Sequence, residues 1–262
     1  MFGLLVRASG ASDAQYLEGI VKVVGGQSLS SVASLDQGVS TVGGAANPWS
    51  VDHLESGTVS APTRAGTRRK VFRLGIISGT TVGLRALDDW NPATQAVGYI
   101  TAATEAADLS LNQVIFVASD DVLMVASSNY GKYALGVECQ EDYPSVKVGA
   151  GSCWGTVTSN EFRFSSPKSK NISSNGFSGP AVIDGAIGMS SIVGGRNALE
   201  VAFNPMVSQL IWSASCGPLG YLRGVWATTY GNSGTLMTND EGLVFLMLKK
   251  YGTSVSVAIQ RV

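Results

Sequence analysis

Short apolar runs closed by Gly, Ser, Asn or Pro recur along almost the whole chain, which is the pattern of brief strands separated by turns. Residues 2–7 and 20–24 read as two strands of an opening hairpin around the polar pair Ser12-Asp13. Residues 71–77 and 81–87 flank Ser78-Gly79-Thr80, a connection whose glycine suits a bulged hairpin. Residues 114–118 and 122–126 flank Ser119-Asp120-Asp121 in the same style, and 133–138, 145–148 and 154–158 continue the meander. At the far end, 243–248 and 254–259 bracket Lys249-Lys250-Tyr251-Gly252-Thr253, and the alternation of Val255, Val257 and Ile259 predicts a half-buried strand closing a hairpin.

Helix is predicted at two places: residues 101–109, Ala-rich with Glu105 and Asp108, and part of 205–212. The segment 25–62 is rich in Ser and Gly with scattered apolar positions, the character of a long loop, an arm, or strands left exposed until a neighbour covers them. The whole pattern predicts an all-β protein, an antiparallel sandwich or barrel with at most one or two short helices. Two β subdomains fit the length: residues 1–160, carrying the segment 25–62, and residues 161–262, divided where Ser, Lys and Asn cluster.

Composition adds an expectation of assembly. Charged residues make up 14% of the 262 positions, against roughly 25% in ordinary soluble domains, while Gly occupies 32. A surface so low in charge is hydrated through hydroxyls or covered by another subunit, and a homo-oligomer is the expected state. With 18 basic and 19 acidic side chains the net charge is -1, which supplies no electrostatic footprint for nucleic acid. The one basic cluster, Arg64, Arg68, Arg69, Lys70 and Arg73, reads as a solvated loop edge. Cys139, Cys153 and Cys216 are odd in number and far apart, against a disulfide framework. No stretch approaches the roughly 18 apolar residues of a membrane span and no leader pattern is legible, so neither membrane insertion nor secretion is expected. The glycosylation pattern Asn171-Ile172-Ser173 carries no weight in that setting.

Asn175-Gly176-Phe177-Ser178-Gly179-Pro180-Ala181-Val182 resembles the nucleophile turn of chymotrypsin-like serine proteases. That resemblance implies Ser178 as nucleophile, the amides of Gly176 and Ser178 as oxyanion donors, and His53, the single histidine, as general base. The third member would come from Asp88, Asp89, Asp108, Asp120 or Asp121, and Val51-Asp52-His53-Leu54-Glu55 departs from the small-residue setting that the family places around its base. Read without the family, the same residues form a Gly-Pro turn leading into a strand at Ala181-Val182-Ile183, and His53 is a surface or capping imidazole. One histidine and three scattered cysteines give no metal-ligand spacing, and no phosphate-cradling glycine motif is present, so neither metal nor nucleotide cofactor is expected.

Of the five tryptophans, Trp154, Trp212 and Trp226 read as core or subunit contacts. Trp49 and Trp90, each beside an Asn/Pro turn, suit either the core or a contact or glycan-binding surface. Finally, Phe2-Gly3-Leu4-Leu5-Val6-Arg7 followed by a polar turn and Val21-Lys22-Val23-Val24 resembles the strand–turn–strand opening of tail proteins of tailed bacteriophages. The resemblance implies a virion structural protein, a tail, baseplate or fibre component, assembled in the host cytoplasm with copies of itself and other virion proteins. A third reading, a glycan-binding β module with a host surface glycan as partner, rests only on the exposed aromatics. The chymotrypsin-like peptidase is the alternative.

Overall fold

The computed structural model of the protein describes residues 1–27, 40–41, 47–63, 69–100, 103–140, 152–158, 161–165, 182–183, 207–213, 217–228, 234–238, 241–251 and 255–261. In chain order the strands are β1 (Phe2–Val6), β2 (Ser40–Thr41), β3 (Ser50–His53), β4 (Thr58–Pro62), β5 (Arg69–Ser78), β6 (Thr81–Asp88), β7 (Tyr99–Ile100), β8 (Thr104–Asp108), β9 (Gln113–Ala118) and β10 (Val122–Ser127). They continue as β11 (Tyr133–Gln140), β12 (Ser152–Thr158), β13 (Glu161–Ser165), β14 (Val182–Ile183), β15 (Val207–Ser213), β16 (Gly217–Thr228), β17 (Leu236–Thr238), β18 (Val244–Tyr251) and β19 (Val255–Arg261). Among the described residues one α-helix, α1 (Asp13–Val24), lies between β1 and β2.

The fold is all-β and antiparallel. Thirteen strands form one sheet along the path β17-β18-β19-β16-β11-β10-β9-β1-β2, with β12 to β14 branching from β11 and β15 beside β16. Six form a second sheet, β3-β4-β5-β6-β7 with β8 beside β6. Neither closes into a barrel among the described residues, and the two pack as a sandwich. Pairing runs across residue 160, because β12 and β13 are ladder neighbours, and β11 also joins β16 through Cys139↔Leu222 and Gln140↔Tyr221. Among the described residues no helix is long and apolar enough to cross a membrane.

The main core lies between the inner face of the six-stranded sheet, with Val59, Ala61, Phe72, Leu74, Leu84 and Ala86, and Leu5, Val114, Phe116, Leu123, Val125 and Ala134 of the larger one. Alternation along β4, β5 and β6 turns Val59, Phe72 and Leu84 inward and Ser60, Arg73 and Arg85 outward, as period-two side-chain geometry requires. The sheets approach closely at Gly136: a Cβ there would lie 2.9 Å from the Phe72 ring, so the absence of a side chain is what admits the phenyl group.

Three secondary-structure expectations are corrected first. Residues 20–24 are the last turns of α1 and form no strand, so the opening is strand–helix. Ser12 caps the helix, its Oγ accepting from the Gln15 amide at 3.2 Å while Gln15 Oε1 accepts from the Ser12 amide at 2.9 Å. Tyr16, Ile20, Val23 and Val24 then share one buried face. Within 101–109 the described residues form a strand in place of the expected helix: β8 pairs with β6 through Thr81↔Asp108, Val82↔Ala107, Gly83↔Glu105 and Leu84↔Thr104, and a 3-10 turn at Leu109–Leu111 follows. Within 205–212, Val207–Ser213 is strand β15.

The segment 25–62 is not a bare arm where it is described. Trp49, Val59 and Ala61 are buried in this chain's own core, and β4 is a full ladder partner of β5. Nor is the basic cluster a loop edge at the described positions: Arg69, Lys70 and Arg73 lie in β5, with Arg64 and Arg68 outside the described residues. The hairpins at 71–87, 114–126 and 243–259 stand as read, with a register irregularity between Ile76 and Ser78 beside Gly79. Residues 145–148 lie outside the described residues.

Candidate functional site

The catalytic arrangement implied by the protease resemblance divides between described and undescribed parts of the chain. Ser178, Gly176 and Gly179 lie outside the described residues. His53 ends β3, and its ring is bound within its own turn: Nδ1 accepts from the Ser56 amide at 3.2 Å and lies 2.9 Å from Ser56 Oγ, which in turn is 2.7 Å from Thr58 Oγ1. A histidine acting as base through Nε2 needs its proton on Nδ1, directed at a carboxylate. Here Nδ1 faces a backbone N–H, which favours the opposite tautomer. This is capping chemistry.

Of the candidate aspartates, Asp108 has its carboxylate engaged by its neighbours. Asp108 accepts from the Ser110 hydroxyl at 2.7 Å, the Ser110 amide at 3.0 Å and the Thr80 hydroxyl at 2.7 Å. These hydrogen bonds, the Ser110 hydroxyl foremost, hold its carboxyl below the usual range. Asp120 offers its backbone carbonyl to the Lys70 ammonium, and Asp89 is exposed with a left-handed backbone, φ 53°.

A different constellation is built on the outer face of the six-stranded sheet. It begins with a bulge: Val51 opposes Val59 and His53 opposes Thr58, so Asp52 is the extra residue of β3. Bulges redirect side chains, and Asp52 is turned over the sheet, its side chain only 10% exposed. Oδ1 accepts from Ser60 Oγ at 2.7 Å and from Arg69 Nη2 at 3.4 Å, and Oδ2 accepts from the indole Nε1 of Trp90 at 3.2 Å. Arg69, at the start of β5, also donates through Nε to Ser60 Oγ at 2.8 Å and through Nη2 to Ser50 Oγ at 2.8 Å. Three strands and one loop thus meet at one carboxylate.

Trp90 follows β6 in a loop tied to itself. The Asn91 amide donates to the Ala96 carbonyl at 3.0 Å, and Asn91 Oδ1 accepts from the Ala93 and Thr94 amides at 2.9 and 3.3 Å, an Asx-type turn. The Arg73 guanidinium lies 5.6 Å from the Trp90 ring centroid, a cation–π contact. Burial, and after it the charge of Arg85 directly across the ladder, lower the pKa of Arg73.

These residues border a cleft of about 360 Å³. Its floor is the cross-strand pair Val71 and Leu87, its wall is Trp90 with Pro92, and its polar groups are Asp52, Arg69 and Asp89. The residues singled out from the sequence therefore fall in different places. Trp90 borders the cleft, while Trp49 is 3% exposed, with Nε1 donating to the Ser119 carbonyl at 2.9 Å and its ring 5.6 Å from that of Phe72. Asp52, Arg69 and the apolar floor were missed as a site because only the register of β3, β4 and β5 brings them together. Among the described residues no group of three or more His, Cys, Asp or Glu side chains is placed to hold a metal ion. Compared with protein-family models and with curated protein sequences, the chain matches none.

Proposed function

We propose that this protein is a structural subunit of a tailed-bacteriophage virion, a tail, baseplate or fibre component that acts by assembling with copies of itself and with other virion proteins. The observation that carries the assembly reading is the open end of the large sheet. Among the described residues its path stops at β17, which pairs with β18 on one side through Leu236↔Leu246, Met237↔Phe245 and Thr238↔Val244. Leu236 is 45% exposed and the nearby Leu243 is 37% exposed. An edge strand offers unpaired N–H and C=O groups to any neighbouring chain, and proteins that stay monomeric blunt such edges with charge, proline or a very short strand. Leu236-Met237-Thr238 carries no charge and no proline, and its three residues are a short edge. The low charge of the whole chain agrees, since subunit contacts take the place of charged surface. The assignment to a phage tail rests on the resemblance carried by residues 2–7 and 21–24, of which 21–24 lie in α1 and not in the second strand it implied, and on composition, and the place of action is then the virion, built in the host cytoplasm.

Light scattering after size exclusion tests the assembly directly. A closed multimer such as a trimer or hexamer is expected in place of a 27.2 kDa monomer. Leu236→Lys should shift it toward smaller species without changing the circular dichroism spectrum. A monomer of the unsubstituted protein at the highest concentration reached refutes self-assembly. Incubation with a fluorophosphonate probe is expected to leave the protein unlabelled. Labelling that disappears in Ser178→Ala would replace the structural reading with a peptidase.

A further inference from the structure

We propose that the cleft bounded by Trp90, Pro92, Val71 and Leu87 is a binding site for a single neutral pyranose ring, the terminal sugar of a glycan. The inference goes beyond the assembly reading and does not depend on it. Its size comes first: about 360 Å³ sits at the small end of ligand pockets, enough for one sugar ring and too little for a dinucleotide or a large cofactor. Its lining matches the two chemistries of a pyranose. The indole wall and the Val71–Leu87 floor suit the C–H face of the ring, and Asp52, Arg69 and Asp89 supply acceptors and donors for hydroxyl groups at its edge.

The aromatic wall is held before any ligand arrives. Trp90 is fixed at its nitrogen by Asp52 at 3.2 Å and covered by the Arg73 guanidinium at 5.6 Å from its centroid, while the loop that carries it is closed by the Asn91–Ala96 bond. Among the described residues that line the cleft Arg73 is not included, and its guanidinium contacts the indole. A preset ring loses little conformational freedom on binding. Charge selects the class of sugar. Among its described lining residues the cleft holds two carboxylates against one guanidinium, and that guanidinium already meets Asp52 at 3.4 Å. Asp89 is exposed and has no ion-pair partner among the described residues, and its negative charge disfavours sialylated, sulfated or phosphorylated groups.

The test is saturation-transfer NMR with the methyl glycosides of glucose, galactose, mannose and N-acetylglucosamine, followed by an array of neutral and acidic glycans. The protein would be compared with Trp90→Ala and Asp89→Asn. At least one neutral glycoside should bind, Trp90→Ala should weaken it by about tenfold or more, and Asp89→Asn should weaken it by about tenfold with the melting temperature unchanged. Asn tolerates the left-handed backbone at this exposed position, so the second variant remains informative if loss of the indole disturbs the loop. No neutral glycoside binding, binding confined to acidic glycans, or binding retained by both variants would each overturn the proposal. None of those outcomes bears on the native mass.

Discussion

Trp49→Ala is expected to destabilise the protein by about 4 kcal/mol, a large share of the roughly 5–15 kcal/mol that holds a typical domain together. The side chain is 3% exposed and belongs to the main core. Its removal opens a cavity against Phe72, whose ring centroid is 5.6 Å away. It also leaves the Ser119 carbonyl without the indole N–H that now donates at 2.9 Å, and strips one wall from Lys70. That lysine is 1% exposed, its ammonium 5.8 Å from the Trp49 centroid and bonded to the Asp120 carbonyl. Trp49 and Lys70 come from the small sheet and its approach, and Ser119 and Asp120 from the β9–β10 turn of the large one. The cluster therefore fastens one layer of the sandwich to the other. Urea unfolding should show the midpoint falling by more than about 1 M. Trp90→Ala, the same change at a half-buried position on the outer face, should give a smaller fall. A loss below about 1 kcal/mol at Trp49 would mean that the ring does not sit between the sheets.

The contrast between these two tryptophans shows how far the sequence could be read. Both stand beside an Asn/Pro turn, and nothing local distinguishes a ring that enters the core from one that lies over the outer face. The difference comes from long-range register. Hairpins such as β5–β6 and β9–β10 were legible because their alternation and their turns lie within a few residues of one another. Helix α1 was not, because Ile20-Val21-Lys22-Val23-Val24 is as β-branched as any strand of the chain. The signals that mark the helix are Ser12 with Gln15 and the spacing of Tyr16, Ile20, Val23 and Val24. In β8 the opposite error arises, since alanines favour helix in isolation. The ladder with β6 and the burial of Ala106 and Ala107 override that preference. The cleft was least legible of all: Asp52 reaches it through a bulge, which no pattern of apolar residues announces.

Gly57→Ala should cost about 4 kcal/mol, and a second variant separates the two reasons. Gly57 has φ 66°, a left-handed backbone that an L-residue enters at a cost of about 1 kcal/mol. A Cβ at this position would also stand 2.0 Å from the Leu74 carbonyl oxygen, a backbone atom of β5 that cannot swing aside. The strands would have to part, with loss of the 2.9 Å bond from the Leu74 amide to the Gly57 carbonyl. Asn enters the left-handed region more readily than Ala but carries the same Cβ, so Gly57→Asn should be nearly as damaging if the close approach dominates. Gly79 provides the control. Its φ is 50°, yet nothing lies within 4 Å of an added Cβ, and Gly79→Asn should cost less than about 1 kcal/mol. Should Gly57→Asn restore most of the stability lost in Gly57→Ala, conformation and not contact would govern the turn. If it does not, the approach of this turn to Leu74 is what holds β3, β4 and β5 in register, and with them the side chains of Asp52, Ser60 and Arg69 that form the polar side of the cleft.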